Sequence, residues 1–225
     1  MWAELLEIFR GGSNESMKSM GDDFMRMLAI TQTMAEIVRP HVFDRALSLE
    51  DRKRILDYDV EVNSLERTIR KQIVNHLSLK HSEVPFNLAL LMLVSHAERV
   101  GDYIKNISDV EQLGGGEVPE GPLRNELADL IDLCHKLFDV VPSALRQQDK
   151  DQATEYLRVG KNMRKRSDKL LVELSKSDLN AAQTTAMVLL ARFYRRIAGH
   201  LCNILSSVVL PVHEIDHFSD PDAEG

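Results

Sequence analysis

The chain has 225 residues, a formal charge of −7 at pH 7 and two cysteines, Cys134 and Cys202. Its length suits one large domain or two small ones, and the acidity, with no concentrated basic patch to offset it, argues against nucleic acid as a partner. The cysteines lack any CxxC or Cys/His spacing, which argues against a zinc site and a disulfide scaffold, and the longest apolar run, residues 88–94, is far below the ~18–20 residues of a membrane span.

Residues 1–12 predict a short amphipathic helix with Trp2, Leu5, Leu6 and Phe9 on one side, broken at Gly11 and Gly12. It carries acids and no basic leader, so it does not read as a signal peptide, and a cytoplasmic protein is expected. A Met-rich helix follows over 16–38 and stops before Pro40, because the residue preceding proline is pushed out of the helical region. Its Met17, Met20, Met25, Met27 and Met34 are expected to fill core. Ser48 reads as the N-cap of a helix over 49–79. A third helix is expected from about residue 82 to 112, and Gly114–Gly116 with Pro119, Gly121 and Pro122 marks a linker.

Beyond the linker the plan repeats. Helices are expected over 123–147, with a kink at Pro142, over 149–175, and over 178–210 behind an Asp178 cap. Residues 212–225 read as an acidic tail, with 217–225 expected to be disordered. Glu98 to Ile107 aligns with Arg195 to Ile204, sharing Arg99/Arg196, Asn106/Asn203 and Ile107/Ile204, with small residues at Gly101/Ala198. The expected fold is therefore all-α: two antiparallel three-helix bundles related by an internal pseudo-repeat (14–113 and 119–211), with a short extra N-terminal helix (1–12) and a tail (212–225).

Glu98 and Asp102 stand four residues apart and so share a helix face. That face runs upstream through Val84, Leu88, Leu91 and Val94, which predicts that it points inward. On the preceding helix Asp59, Asn63 and Glu66 also share a face, beside Ile55, Leu56, Ile73, Val74 and Leu77. Helices joined by a short turn run antiparallel, and Glu66 and Glu98 lie at similar distances from the turn at 80–82. Asp59, Asn63, Glu66, Glu98 and Asp102 should then face one another. All-oxygen donors suit hard cations such as Mg²⁺, Ca²⁺, Mn²⁺ or oxidised iron. The alternative is an ion-pair network with Arg67, Arg70 and Arg99.

The segment ERVGDYIKNIS resembles the ERIGD-x-x-x-NI motif of the PhoU family of phosphate-uptake regulators, and residues 55–66 resemble that family's acidic segment on the preceding helix. The likeness covers about residues 16–210. It implies a non-enzymatic, often dimeric adaptor that ties a phosphate transporter to a sensor histidine kinase. It also implies a metal ion or cluster (Fe, Mn, Mg or Zn) on Glu98, Asp102, Asp59, Asn63 and Glu66. The second repeat departs from the pattern, with Arg195 and Gly199 where the acids belong and a basic stretch, residues 162–169, on the facing helix. Arg195 is expected to point inward and be neutralised by Asp168, Glu173 or Asp132, and the basic charge there can hold an anion rather than a cation. His213-Glu-Ile-Asp-His217 matches HExxH but follows Pro211 without a third ligand, and reads as chance. His96, the nearest general base, projects away from Glu98. No E-x-x-H pair for a di-iron oxidase occurs on the long helices.

Overall fold

A computed structural model describes residues 15–43, 47–79 and 83–218. The predicted N-terminal helix with Trp2, Leu5, Leu6 and Phe9, the turn at 80–82 and residues 219–225 lie outside the described residues. Within them the chain forms six α-helices: α1 (Glu15–Val38), α2 (Leu49–Leu79), α3 (Val84–Ser108), α4 (Pro122–Gln147), α5 (Lys150–Leu174) and α6 (Ala181–Ser206). A 3₁₀ turn, Arg39–His41, absorbs Pro40 after α1. The described residues contain no strand, and none of the helices is long and apolar enough to cross a membrane.

Local chemistry explains the boundaries. The Ser48 hydroxyl accepts the Asp51 amide at 3.0 Å at the start of α2. Asp149 accepts the Gln152 amide at 2.9 Å at the start of α5. The α6 cap is Asn180 rather than the expected Asp178. Asn180 and Gln183 form a reciprocal capping box, satisfying two amides at once, which a helix starting two residues earlier could not use. α4 runs unbroken through Pro142, with Phe138, Val141, Ala144 and Leu145 buried around the proline so that packing offsets the lost amide donor.

α1, α2 and α3 pack mutually, as do α4, α5 and α6. The most extensive helix pair joins the two sets: α3 lies against α6, and their side chains belong to one continuous core. Leu93, Ala97, Val100 and Ile104 of α3 and Ile197, Leu201 and Ile204 of α6 are fully or almost fully buried. Met17, Met20, Met27 and Met34 are core, while Met25 is half-buried. The linker is an ordered strap. Gly115 N–H donates to Val110 at 2.9 Å, Gly116 N–H donates to Ala182 at 2.9 Å, and Val118 is buried. A Cβ on Gly115 would stand 2.6 Å from a Val110 methyl, so this close approach requires glycine.

Two apolar stripes differ from expectation. Val84 is 40% and Leu88 45% exposed, whereas Leu91 is half-buried and Val94 fully buried, because the buried face of α3 is centred on Leu93, Ala97, Val100 and Ile104, far round the helix from Glu98 and Asp102. On α2, Leu56 and Val74 are exposed, and the buried line is Ile55, Val62, Ile69 and Ile73. Within the acidic tail expected from residue 212, Ile215 is buried and Asp216 ties the segment to α3.

Candidate functional site

α2 and α3 bring the expected acidic residues to one seam. Asp59 and Asp102 are joined through a single cation, the Lys105 ammonium. It donates to both Asp59 oxygens at 2.9 Å and to Asp102 Oδ1 at 3.0 Å. Asn63 donates to Asp59 at 3.4 Å, one helical turn away. Glu66 accepts from Arg70 at 2.7 Å. Glu98 lies between Glu66 and Asp102. Burial, with those two carboxylates beside it, pushes its carboxyl up to about 7.

The seam is half-buried: the Asp102 side chain is 43% exposed at its rim, while Asp59 and Glu66 are 13% and 14% exposed. The antiparallel register is as expected: Asp59 meets the α3 turn carrying Asp102 and Lys105, and Glu66 meets Glu98. The cation is different. Of the three arginines considered, Arg70 takes one acid, and Lys105 holds two. Its position three residues after Asp102 is an i,i+3 pairing that the sequence contains.

The Asp59 and Asp102 carboxylates are already engaged by a cation of the chain itself. The Lys105 Nζ occupies the point on which Asp59 and Asp102 converge.

The equivalent place in the second half has opposite charge. Arg195 is half-buried and donates to Asp168 at 3.1 Å, which selects Asp168 from the three acids considered. Arg166 is held by Glu126 through two bonds of 2.8 Å. Gly199 is exposed, and a Cβ there would meet nothing within 4 Å.

A ring cluster joins the halves. His96 and His200 approach Nδ1 to Nδ1 at 3.0 Å, and His96 Nε2 meets the Asp216 carboxylate at 2.9 Å. Burial, helped by His96, Arg99 and Arg196, lowers His200 to about 4, so it is neutral at physiological pH. A neutral His200 donating to His96 Nδ1, with His96 Nε2–H donating to Asp216, satisfies every contact. Tyr103 stacks on His200 at 5.7 Å and also approaches Phe193. In the alignment that pairs Glu98 with Arg195, His96 falls on Phe193 and Tyr103 on His200. The two cross-helix contacts are therefore one contact and its pseudo-symmetric copy. His213 and Glu214 sit in a 3₁₀ turn with their side chains exposed, not on a helix face that HExxH chemistry needs. Cys134 and Cys202 are unpaired, and burial raises both thiols, Cys202 to about 12.

Two tightly joined three-helix bundles, one bearing an E-x-x-x-D face against an acidic partner helix, define a duplicated all-α fold. Residues 24–110 match the family model described as the PhoU domain. The chain is similar to this family in its first half. It is 22% identical over 200 residues to the phosphate-specific transport system accessory protein PhoU homolog of Synechocystis sp., covering 86% of this chain and 88% of that protein. The fold is similar to PhoU from Pseudomonas aeruginosa, with a TM-score of 0.73 at 16% identity, covering 86% of this chain and 95% of that one. It is also similar to the phosphate transport system regulatory protein PhoU from Streptococcus pneumoniae, with a TM-score of 0.69 at 17% identity, covering 85% and 92%.

Proposed function

We propose that this chain is a non-enzymatic regulator of phosphate uptake, acting as a cytoplasmic, homodimeric adaptor that binds a phosphate transporter, a sensor histidine kinase, or both. The observation that carries the reading is the PhoU domain over residues 24–110, with its acidic face set against α2. The relative's role as an accessory protein of a phosphate transport system agrees with it. A binding role also suits the chemistry of the seam, whose acids are engaged in ion pairs with Lys105 and Arg70. Contact with the membrane would come through the partner. The test is crosslinked co-purification of the chain from its source cells in high and low phosphate. Enrichment of transporter or kinase subunits supports the reading, and enrichment of neither overturns it.

Metal binding through Glu98, Asp102, Asp59, Asn63 and Glu66 is a second reading. It is favoured by the crowding of carboxylates that raises Glu98. A cation would have to displace Lys105 first. Elemental analysis of untagged protein beside Lys105→Ala tests this. Stoichiometric iron, manganese, zinc or magnesium, increased in the variant, supports a metal role. Metal-free protein in both samples retires it.

A further inference from the structure

The second half contains a cavity of about 370 Å³ between α5 and α6, closed at one end by the segment that carries Asp216 and Phe218. Its size falls in the range of small-molecule sites. Leu130, Leu157 and Met163 give it an apolar floor, and Lys161, Arg164, Arg195 and Arg196 line it with four cations. Asp168 neutralises Arg195 from outside the lining, yet Arg195 Nε is buried without an acceptor. Lys161, Arg164 and Arg196 are paired with no carboxylate among the described residues. Among the described residues the one acid of the lining, Asp216, is engaged by His96.

Like charges gathered around a concave, partly apolar wall focus a positive potential into it, and the group that relieves their repulsion is an anion. Guanidinium groups match the oxygens of a phosphoryl group through their planar fork. Gly199 stands in the wall where the first half places Asp102. The absence of a side chain leaves space beside Arg195 and Arg196, and a carboxylate there would fill it with the wrong charge.

We propose that this cavity binds a small phosphate ester, the phosphoryl group on the Lys161, Arg164, Arg195 and Arg196 cations and the organic body on the Leu130, Leu157 and Met163 floor. The site stands on charge and shape in the second half, independently of the acidic seam and of any transporter contact. It makes the chain a sensor of a soluble phosphorylated compound as well as a docking protein.

Calorimetric titration of the full chain with adenosine 5′-monophosphate, inorganic phosphate and adenosine tests the proposal. The expected result is binding of the monophosphate at least tenfold tighter than inorganic phosphate, with none for adenosine. Gly199→Glu should abolish it, while Gly199→Ala retains it. Both substitutions enter open space at an exposed helical position, so circular dichroism should report an unchanged fold. Lys161→Gln with Arg164→Gln should weaken binding at least tenfold and serves as the second variant if Gly199→Glu misfolds. No binding of either phosphate compound overturns the proposal. Equal binding by the wild type and Gly199→Glu also overturns it, and equal affinity for inorganic phosphate and the monophosphate removes the role of the floor.

Discussion

Replacing Glu98 by glutamine removes a negative charge from the most crowded point of the α2–α3 seam while keeping the side chain's shape. The Glu98 carboxyl ordinarily titrates at 4.5 and is raised here to about 7 by burial and by the Asp102 and Glu66 carboxylates. An acid raised in the folded state weakens that state once it ionises. The cost is absent below the ordinary value, grows as pH climbs through the interval to about 7, and is fully present above it. At about 1.4 kcal/mol per unit, discounted for the partial solvent exposure of Glu98, the cost is roughly 1–2 kcal/mol. Protonated Glu98 hydrogen-bonds Asp102, and the glutamine amide can donate in its place at every pH. Glu98→Gln should therefore match the wild type near pH ~5 and exceed its stability by roughly 1–2 kcal/mol near pH ~8. For a chain of this length that is about 2–8 °C in Tm. Urea unfolding of both proteins at the two pH values reads the difference directly, with equal slopes securing the comparison. Protonation of the half-buried His135 and His200, both lowered to about 4, weakens both proteins alike toward acid, so their contributions cancel. A difference that is the same at both pH values, or a loss at high pH, would refute the reasoning.

Other perturbations probe the frame around the seam. Lys105→Met leaves the largely buried Asp59 facing Asp102 without their shared cation, and should cost roughly 1–3 kcal/mol in urea unfolding, with part recovered in Lys105→Met/Asp102→Asn. Gly115→Ala drives a methyl into Val110 and should cost roughly 1–3 kcal/mol by the same assay, even though alanine stiffens the unfolded chain. Asn180→Ala removes the α6 capping box and should lower stability by about 1 kcal/mol, whereas Asp178→Ala should be nearly silent.

Much of the helical plan was legible because the breakers are few and sharply placed. Pro40 and the glycines from Gly114 onward bound the elements, and equal spacing about the turn at 80–82 correctly set Asp59 and Glu66 against Asp102 and Glu98. The direction of the acidic face was not legible. Val84 and Leu88 suggested an inward stripe, but α3 is wrapped by three helices, and its broad apolar surface masks which side each neighbour takes. Lys105 stands inside the motif itself, yet its lysine side chain reads equally well as solvated or bridging until the position of Asp59 is known. The His96–His200–Asp216 contacts span more than a hundred residues, and no local spacing announces them. The departure of the second half was plain from Arg195 and Gly199, although the cavity they border depends on how α5 and α6 lean together.

The pairing of His96 with His200, repeated as Tyr103 with Phe193, gives the α3–α6 contact the geometry of a dimer interface folded into one polypeptide. A dimer of separate identical chains must carry the same residue at both symmetry-related positions, so an acid favourable at one site is imposed on the other. A covalent duplication lifts that restriction. Asp102 can remain on one side while Gly199 opens the other, and each half can carry its own charge without disturbing its counterpart.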